Sequence, residues 1–261
     1  MIYQIKHYHI TNYDYLFGYL AGESGLKKVG NDYYFYGDNP NNFIYYNCTN
    51  EFDTKTCELW RILGFIYDNE TNEYTTKIIR DASIGKYSYS ETSQLWKDSA
   101  INKYLNEDYK LKNTSYLTEI TFKQENLIDL KNNLTNIPLL ENTQEDESKV
   151  TIMNISDYLN ASICQNKSIE EYDSACLKAN WLNKNDNLLE WTATTKYEKP
   201  YTDPETEEEV IPVNDSMYVV GNEIDVWTVD SKLNVRPIIY LSSRVFTING
   251  NGTINNPYVI R

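Results

Sequence analysis

The chain has 261 residues, with 24 Lys and Arg against 38 Asp and Glu, a formal net charge of −14 and an isoelectric point near 4.6. That length buries a core in one large domain or two small ones. The charge excludes nucleic acid as a partner, because phosphate binding draws on clustered Lys and Arg and the sequence has no such cluster. The 24 tyrosines, with abundant Asn, Ile and Lys and only 10 glycines and 7 prolines, are what an AT-rich coding sequence produces, and they mark no binding surface by themselves.

Residues 1–24 read as an irregular lead-in that ends in the turn-rich Ala21-Gly22-Glu23-Ser24-Gly25. His7 and His9 would share one face of a strand, as a metal pair can. With no other histidine in the chain they read as surface residues, and no metal or other cofactor is expected. Asp32–Tyr36 and Phe43–Asn47 are short strands separated by the turn Gly37-Asp38-Asn39-Pro40-Asn41-Asn42. Glu58–Asp81 reads as a hairpin: an apolar run from Leu59 to Tyr67, a polar turn Asp68–Glu73, and a second strand through Ile78 and Ile79. The first run is apolar on both faces, so it is placed as an inner strand.

Leu95, Trp96, Ile101, Tyr104 and Leu105 recur at near-helical spacing, with Asp98 or Ser99 as N-cap, which makes Trp96 and Tyr104 core residues. Lys110–Asn136 carries no clean period and leaves a second helix over Thr121–Lys131 open. Val150–Met153 is a short strand, and Ser156-Asp157 caps a helical turn carrying Tyr158 and Leu159. Strand composition returns at Leu188–Thr195, Met217–Val220, Glu223–Val229 and Asn234–Leu241, with an acidic insertion, Lys196–Asn214, after the first of these. Val245–Ile248 and Tyr258–Ile260 close the chain around Asn249-Gly250-Asn251-Gly252. The result is one α+β domain over 25–261, with early and late strands sharing a mostly antiparallel sheet.

Four cysteines allow three connectivities. Their local clustering favours Cys48–Cys57 and Cys164–Cys176, and zinc is disfavoured by the wide spacings. Disulfides imply an oxidising, extracellular compartment. The start, MIYQIKHYHI, lacks the basic and apolar regions of a signal peptide, and no run approaches the ~20 apolar residues of a spanning helix. The expectation is therefore an excised ectodomain that meets a membrane only through an anchor not present in this chain.

Candidate chemistry is sparse. No Gly-x-Ser-x-Gly motif and no phosphate loop occurs, and the acidic runs Glu141–Ser148 and Asp203–Glu209 lack calcium-loop spacing and read as solvated loops. The 38 carboxylates leave a glycosidase-type pair open without singling out two of them. Trp181 is a candidate for stacking on a sugar or anchoring a partner, whereas Trp191 and Trp227 read as core. Arg236 reads as lying at a strand start, paired with a carboxylate.

A series of segments occurs in a characteristic order. It comprises Gly37-Asp38-Asn39-Pro40-Asn41-Asn42-Phe43-Ile44-Tyr45, CELWRILGF from Cys57, KIIRDASIG from Lys77 and WKDSAINKYLN from Trp96. NWL at Asn180, WTATT at Trp191, VRPIIYL at Val235 and GNGTINNPYVI from Gly250 complete it. This series resembles a family of bacterial surface-protein domains with a C-type-lectin-like fold, distantly similar in architecture to the formylglycine-generating-enzyme group. The resemblance covers nearly all of residues 25–261 and implies an exported, surface-attached domain. Catalysis is not implied: the late cysteine pair of the formylglycine-generating enzymes is absent, since no cysteine follows Cys176. The calcium-binding Glu-Pro-Asn and Trp-Asn-Asp motifs of C-type lectins are absent too. The expected function is non-enzymatic recognition of a cell-surface glycan or protein, through loops near Trp181, Tyr197 and Tyr201. The alternatives are a structural subunit or spacer of a pilus-like or cell-wall assembly, and a hydrolase.

Overall fold

The computed structural model describes residues 25–127, 145–164, 167, 169, 171–184, 188–196, 201–210, 215–243, 245 and 247–260. The expected lead-in and Tyr197 lie outside them. The described chain enters through a hairpin, β1 (Leu26–Val29) and β2 (Asp32–Phe35), then passes through β3 (Phe43–Tyr46), β4 (Glu58–Asp68) and β5 (Glu73–Arg80). β6 (Lys86–Ser88) leads to helix α1 (Ala100–Lys103), which widens into a π turn over Tyr104–Asp108. The middle holds β7 (Ile120–Lys123), β8 (Asn126–Leu127), β9 (Glu145–Ser148), β10 (Val150–Thr151), α2 (Ile155–Asn160) and α3 (Ser174–Lys178). The last third begins with β11 (Glu190–Lys196), the small hairpin β12 (Tyr201–Thr202) and β13 (Glu209–Val210), and β14 (Ser216–Val220). β15 (Ile224–Thr228), β16 (Lys232–Asn234), β17 (Ile238–Leu241), β18 (Thr247–Asn249) and β19 (Tyr258–Ile260) follow. This is a strand-rich α+β fold with mostly antiparallel sheets.

Strand β4 is the hub of the larger sheet. Its path among the described residues runs β10-β17-β5-β4-β3-β19-β18, with the β1–β2 hairpin also joined to β4. Trp60, Ile62, Leu63 and Phe65 of β4 are all buried, and so is Arg61 on the intervening face. An inner strand covered on two sides has this composition. β19 lies parallel to β3, with Tyr258 opposite Ile44, so the late chain returns to the early strands. The register of β4 against β5 shifts between Ile62 and Gly64. A Cβ on Gly64 would stand 2.2 Å from the Tyr33 carbonyl oxygen, so only glycine lets β2 cross this close.

The second sheet runs β15-β14-β11-β16-β6, with β8 beside β11. The expected single strand Asn234–Leu241 is corrected here: it is two strands in two sheets. β16 belongs to the second sheet and β17 to the first, and the break falls at Val235-Arg236-Pro237. Proline has no N–H to continue a ladder, and the chain changes sheet at that corner.

Three further expectations change. The possible helix over Thr121–Lys131 is instead β7 and β8 as far as Leu127. β7 pairs with β9, so Glu145–Ser148 is a strand and not a free loop. Gln124 pins this region from the buried side. Its Oε1 accepts from the Trp96 N–H at 2.8 Å, and its Nε2 donates to the Gln94 carbonyl at 2.6 Å. The helix expected from Leu95 onward is shorter, with a 3-10 turn at Trp96–Asp98 and then α1, capped by the Ser99 hydroxyl accepting from the Asn102 N–H at 3.0 Å. Trp227 is not core. It sits on the edge strand β15, 39% exposed, with its indole N–H donating to Asp225.

Other expectations match the structure. Trp96 and Trp191 are fully buried, and Arg236 pairs with a buried carboxylate, Glu190. Both disulfides are formed, Cys48–Cys57 and Cys164–Cys176. They point to a non-cytoplasmic, oxidising environment. Among the described residues no helix is long and apolar enough to cross a membrane.

Candidate recognition surface

A polar groove of about 660 Å³ lies beside α1. Its walls come from Ser90–Thr92, Lys97–Ala100, Asn102, Lys103, Asn106, Glu107 and Glu147 of β9. Each wall is fixed from behind. Trp96 is buried under the turn that carries Lys97 and Asp98, and its indole N–H donates to Ser148 at 3.1 Å. The Ser90 N–H donates to the Val229 carbonyl at 3.0 Å. Asn106 donates through Nδ2 to the Val150 carbonyl at 2.9 Å, while its Oδ1 accepts from the Lys149 and Val150 N–H groups. A groove floor tied to β10 in this way is preorganised. Its functional groups are the carboxylates of Glu91, Asp98, Glu107 and Glu147, the ammonium groups of Lys97 and Lys103, and several hydroxyls and amides. Among the described residues no aromatic ring lines it, so they offer hydrogen bonds and charge instead of stacking.

Of the residues expected from sequence, Trp181 and Tyr201 are described, and the two do not form a surface site together. Trp181 is a correction: it is 2% exposed, its indole N–H donates to the Phe35 carbonyl at 2.8 Å, and its ring lies 4.4 Å from the Arg61 guanidinium. The opposite contact of that guanidinium is the Phe43 ring, at 4.0 Å. Trp181 therefore packs a buried cation and presents no face to a ligand. Tyr201 is 55% exposed on β12, opposite Val210. Sequence reasoning misses the groove because Leu95–Leu105 reads by period as a core-facing helix. The Ser-x-x-Asn cap at Ser99 was the one local signal.

Beneath the surface lie several buried charges. Desolvation lowers Arg61 to about 10, although Asp81 opposes the shift. Desolvation also lowers Lys184, and Arg236 adds to this while the ion pair with Asp81 counters it. The Arg236 Nε donates to Glu190 at 2.6 Å and its Nη2 to the Leu182 carbonyl, which leaves Nη1 buried without a partner. Burial works against the charge on Lys77, but Asp157 at 2.6 Å outweighs it and holds the ammonium above the usual lysine range. Burial pushes the Glu125 carboxyl up to about 7, against the hydrogen bond it receives from the Ser156 hydroxyl. Among the described residues no group of three or more His, Cys, Asp or Glu side chains could hold a metal ion.

No family model, curated protein or solved structure matches the chain.

Proposed function

We propose that this chain is an extracellular recognition module of C-type-lectin-like fold, displayed at a bacterial cell surface, and that its ligand is a cell-surface glycan held in the polar groove beside α1. The observation that carries this reading is the groove's open, fixed, hydrogen-bonding lining. Sugar hydroxyls exchange water for paired donors and acceptors, and carboxylates accept two hydroxyls at once. Four carboxylates in the groove and a net charge of −14 on the chain disfavour polyanionic glycans, so the ligand class is neutral or amino-bearing. The two disulfides support the compartment.

The test is a glycan array with the purified chain, followed by titration calorimetry on any hit. The double variant Glu107→Lys/Glu147→Lys changes two exposed groove residues and is expected to weaken binding about tenfold or more, with an unchanged melting temperature. No binding to any neutral or amino-bearing glycan, or binding that the variant leaves intact, would reject the reading.

A second reading, a structural subunit of a pilus-like or cell-wall assembly, rests on the edge strand β15. Among the described residues it pairs on one side only and exposes Trp227. An open edge accepts a strand from another chain. Concentration-dependent self-association that Trp227→Ser abolishes would favour this reading over the first.

A further inference from the structure

Lys77 on β5 and Asp157 on α2 lie 80 residues apart in sequence and meet in the core, with Nζ 2.6 Å from Oδ1 and side chains only 7% and 2% exposed. A single ion pair this deep is a weak source of stability, because desolvating two charges offsets most of their attraction. The surroundings suggest a different use. The other carboxylate oxygen, Oδ2, already accepts from the Asn154 N–H at 3.0 Å, a preorganised donor aimed at one oxygen of the carboxyl group. The Tyr240 ring, 5.5 Å from Nζ, covers the amine, and Asp32 and Tyr34 of β2 lie within electrostatic range of it. A third carboxyl, that of Glu125, is anchored one residue away. Its Oε2 accepts from the Ser156 N–H and from the Thr194 hydroxyl, both at 3.2 Å, and its Oε1 from the Ser156 hydroxyl.

We propose that Lys77 and Asp157 condense into an intramolecular isopeptide bond, with Glu125 relaying the protons. The lysine ammonium first hands a proton to the Asp157 carboxylate across their hydrogen bond. The neutral Nζ then attacks Cγ, and the charge that develops on Oδ2 is held by the Asn154 N–H. Glu125 takes the second proton from Nζ and returns it to the departing Oδ1, which leaves as water. An ammonium and a carboxylate become one amide and one water, so atoms and charge balance with no co-reactant. Two buried charges disappear, which removes the desolvation cost that opposes the ion pair. Holding the two groups together supplies the effective concentration that the reaction lacks in solution. Glu125 suits the relay because its carboxyl, raised to about 7, exchanges a proton near neutral pH and lies in electrostatic range of both partners. The product would tie the central sheet to α2, a long-range link where both disulfides are local.

Intact-mass measurement of the full chain, reduced and unfolded, tests this directly. The expected mass is lower than the sequence mass by one water, and fragmentation of a tryptic digest should show a branched peptide joining Lys77 to Asp157, with no cleavage after Lys77. A chain at its full sequence mass, or a lost water that maps elsewhere, overturns the proposal. Lys77→Arg keeps the ion pair and should have its full sequence mass. Glu125→Gln should also retain the water while keeping its far-ultraviolet circular dichroism. A linked Glu125→Gln chain formed at the wild-type rate would overturn the relay role.

Discussion

At the scale of single residues, the pair Arg236–Glu190 shows what a buried charge needs. The two side chains are 1% and 8% exposed, and the guanidinium also donates to the Leu182 carbonyl. Arg236→Ala would leave Glu190 charged in the core, and urea denaturation is expected to record a loss of about 3–5 kcal/mol. Changing both residues to apolar ones, Arg236→Met with Glu190→Leu, should cost less than the single change, because no orphan charge remains. Glu125 sets a pH dependence. Its folded value of about 7 exceeds its ordinary 4.5, so the folded chain holds that proton more tightly. The stability it contributes is complete below pH ~4.5 and is lost as pH rises through about 7, a change of up to about 3 kcal/mol. Melting temperatures measured across that window should fall less steeply for Glu125→Gln than for the native chain. Arg236 was readable from sequence as a paired cation because a charge in an apolar strand next to proline has few other solutions. Glu125 was not readable, because its partners Ser156 and Thr194 stand 31 and 69 residues away.

At the scale of elements, the β4–β5 hairpin follows from local sequence. β-branched and aromatic runs flank a polar turn, and the observed strands Glu58–Asp68 and Glu73–Arg80 extend the expected ones by one residue into the turn. Its one irregularity, the shift at Gly64, is imposed by β2. Gly64→Ala puts a methyl group against the Tyr33 carbonyl, and a loss of about 1–3 kcal/mol is expected on denaturant unfolding. The disulfide loops are short, with sequence separations of 9 and 12. Replacing both cysteines of either pair with serine is expected to cost about 3 kcal/mol, seen as a lowered melting temperature with the fold retained. β7 and β8 were harder to read, since Ile120–Lys123 becomes a strand by pairing with β9, more than twenty residues downstream.

At the scale of the molecule, two sheets and their connections bury four of the five tryptophans, and the groove lies where α1, β9 and the Ser90–Thr92 loop converge. A thiol titration of the unfolded chain should find no reactive thiol before reductant and four after it. Free thiols before reduction would remove the argument for an oxidising compartment. Sequence alone determined what local chemistry controls: the strand-rich α+β class, the central hairpin, both cysteine pairings, and the buried Trp96 and Trp191. Tertiary structure decided what depends on residues far apart in the chain. It split Asn234–Leu241 between two sheets, drew Trp181 inward around Arg61, left Trp227 on an edge, and brought Lys77, Asp157 and Glu125 together. Local propensity depends on neighbours in the chain, whereas burial and charge pairing depend on neighbours in space.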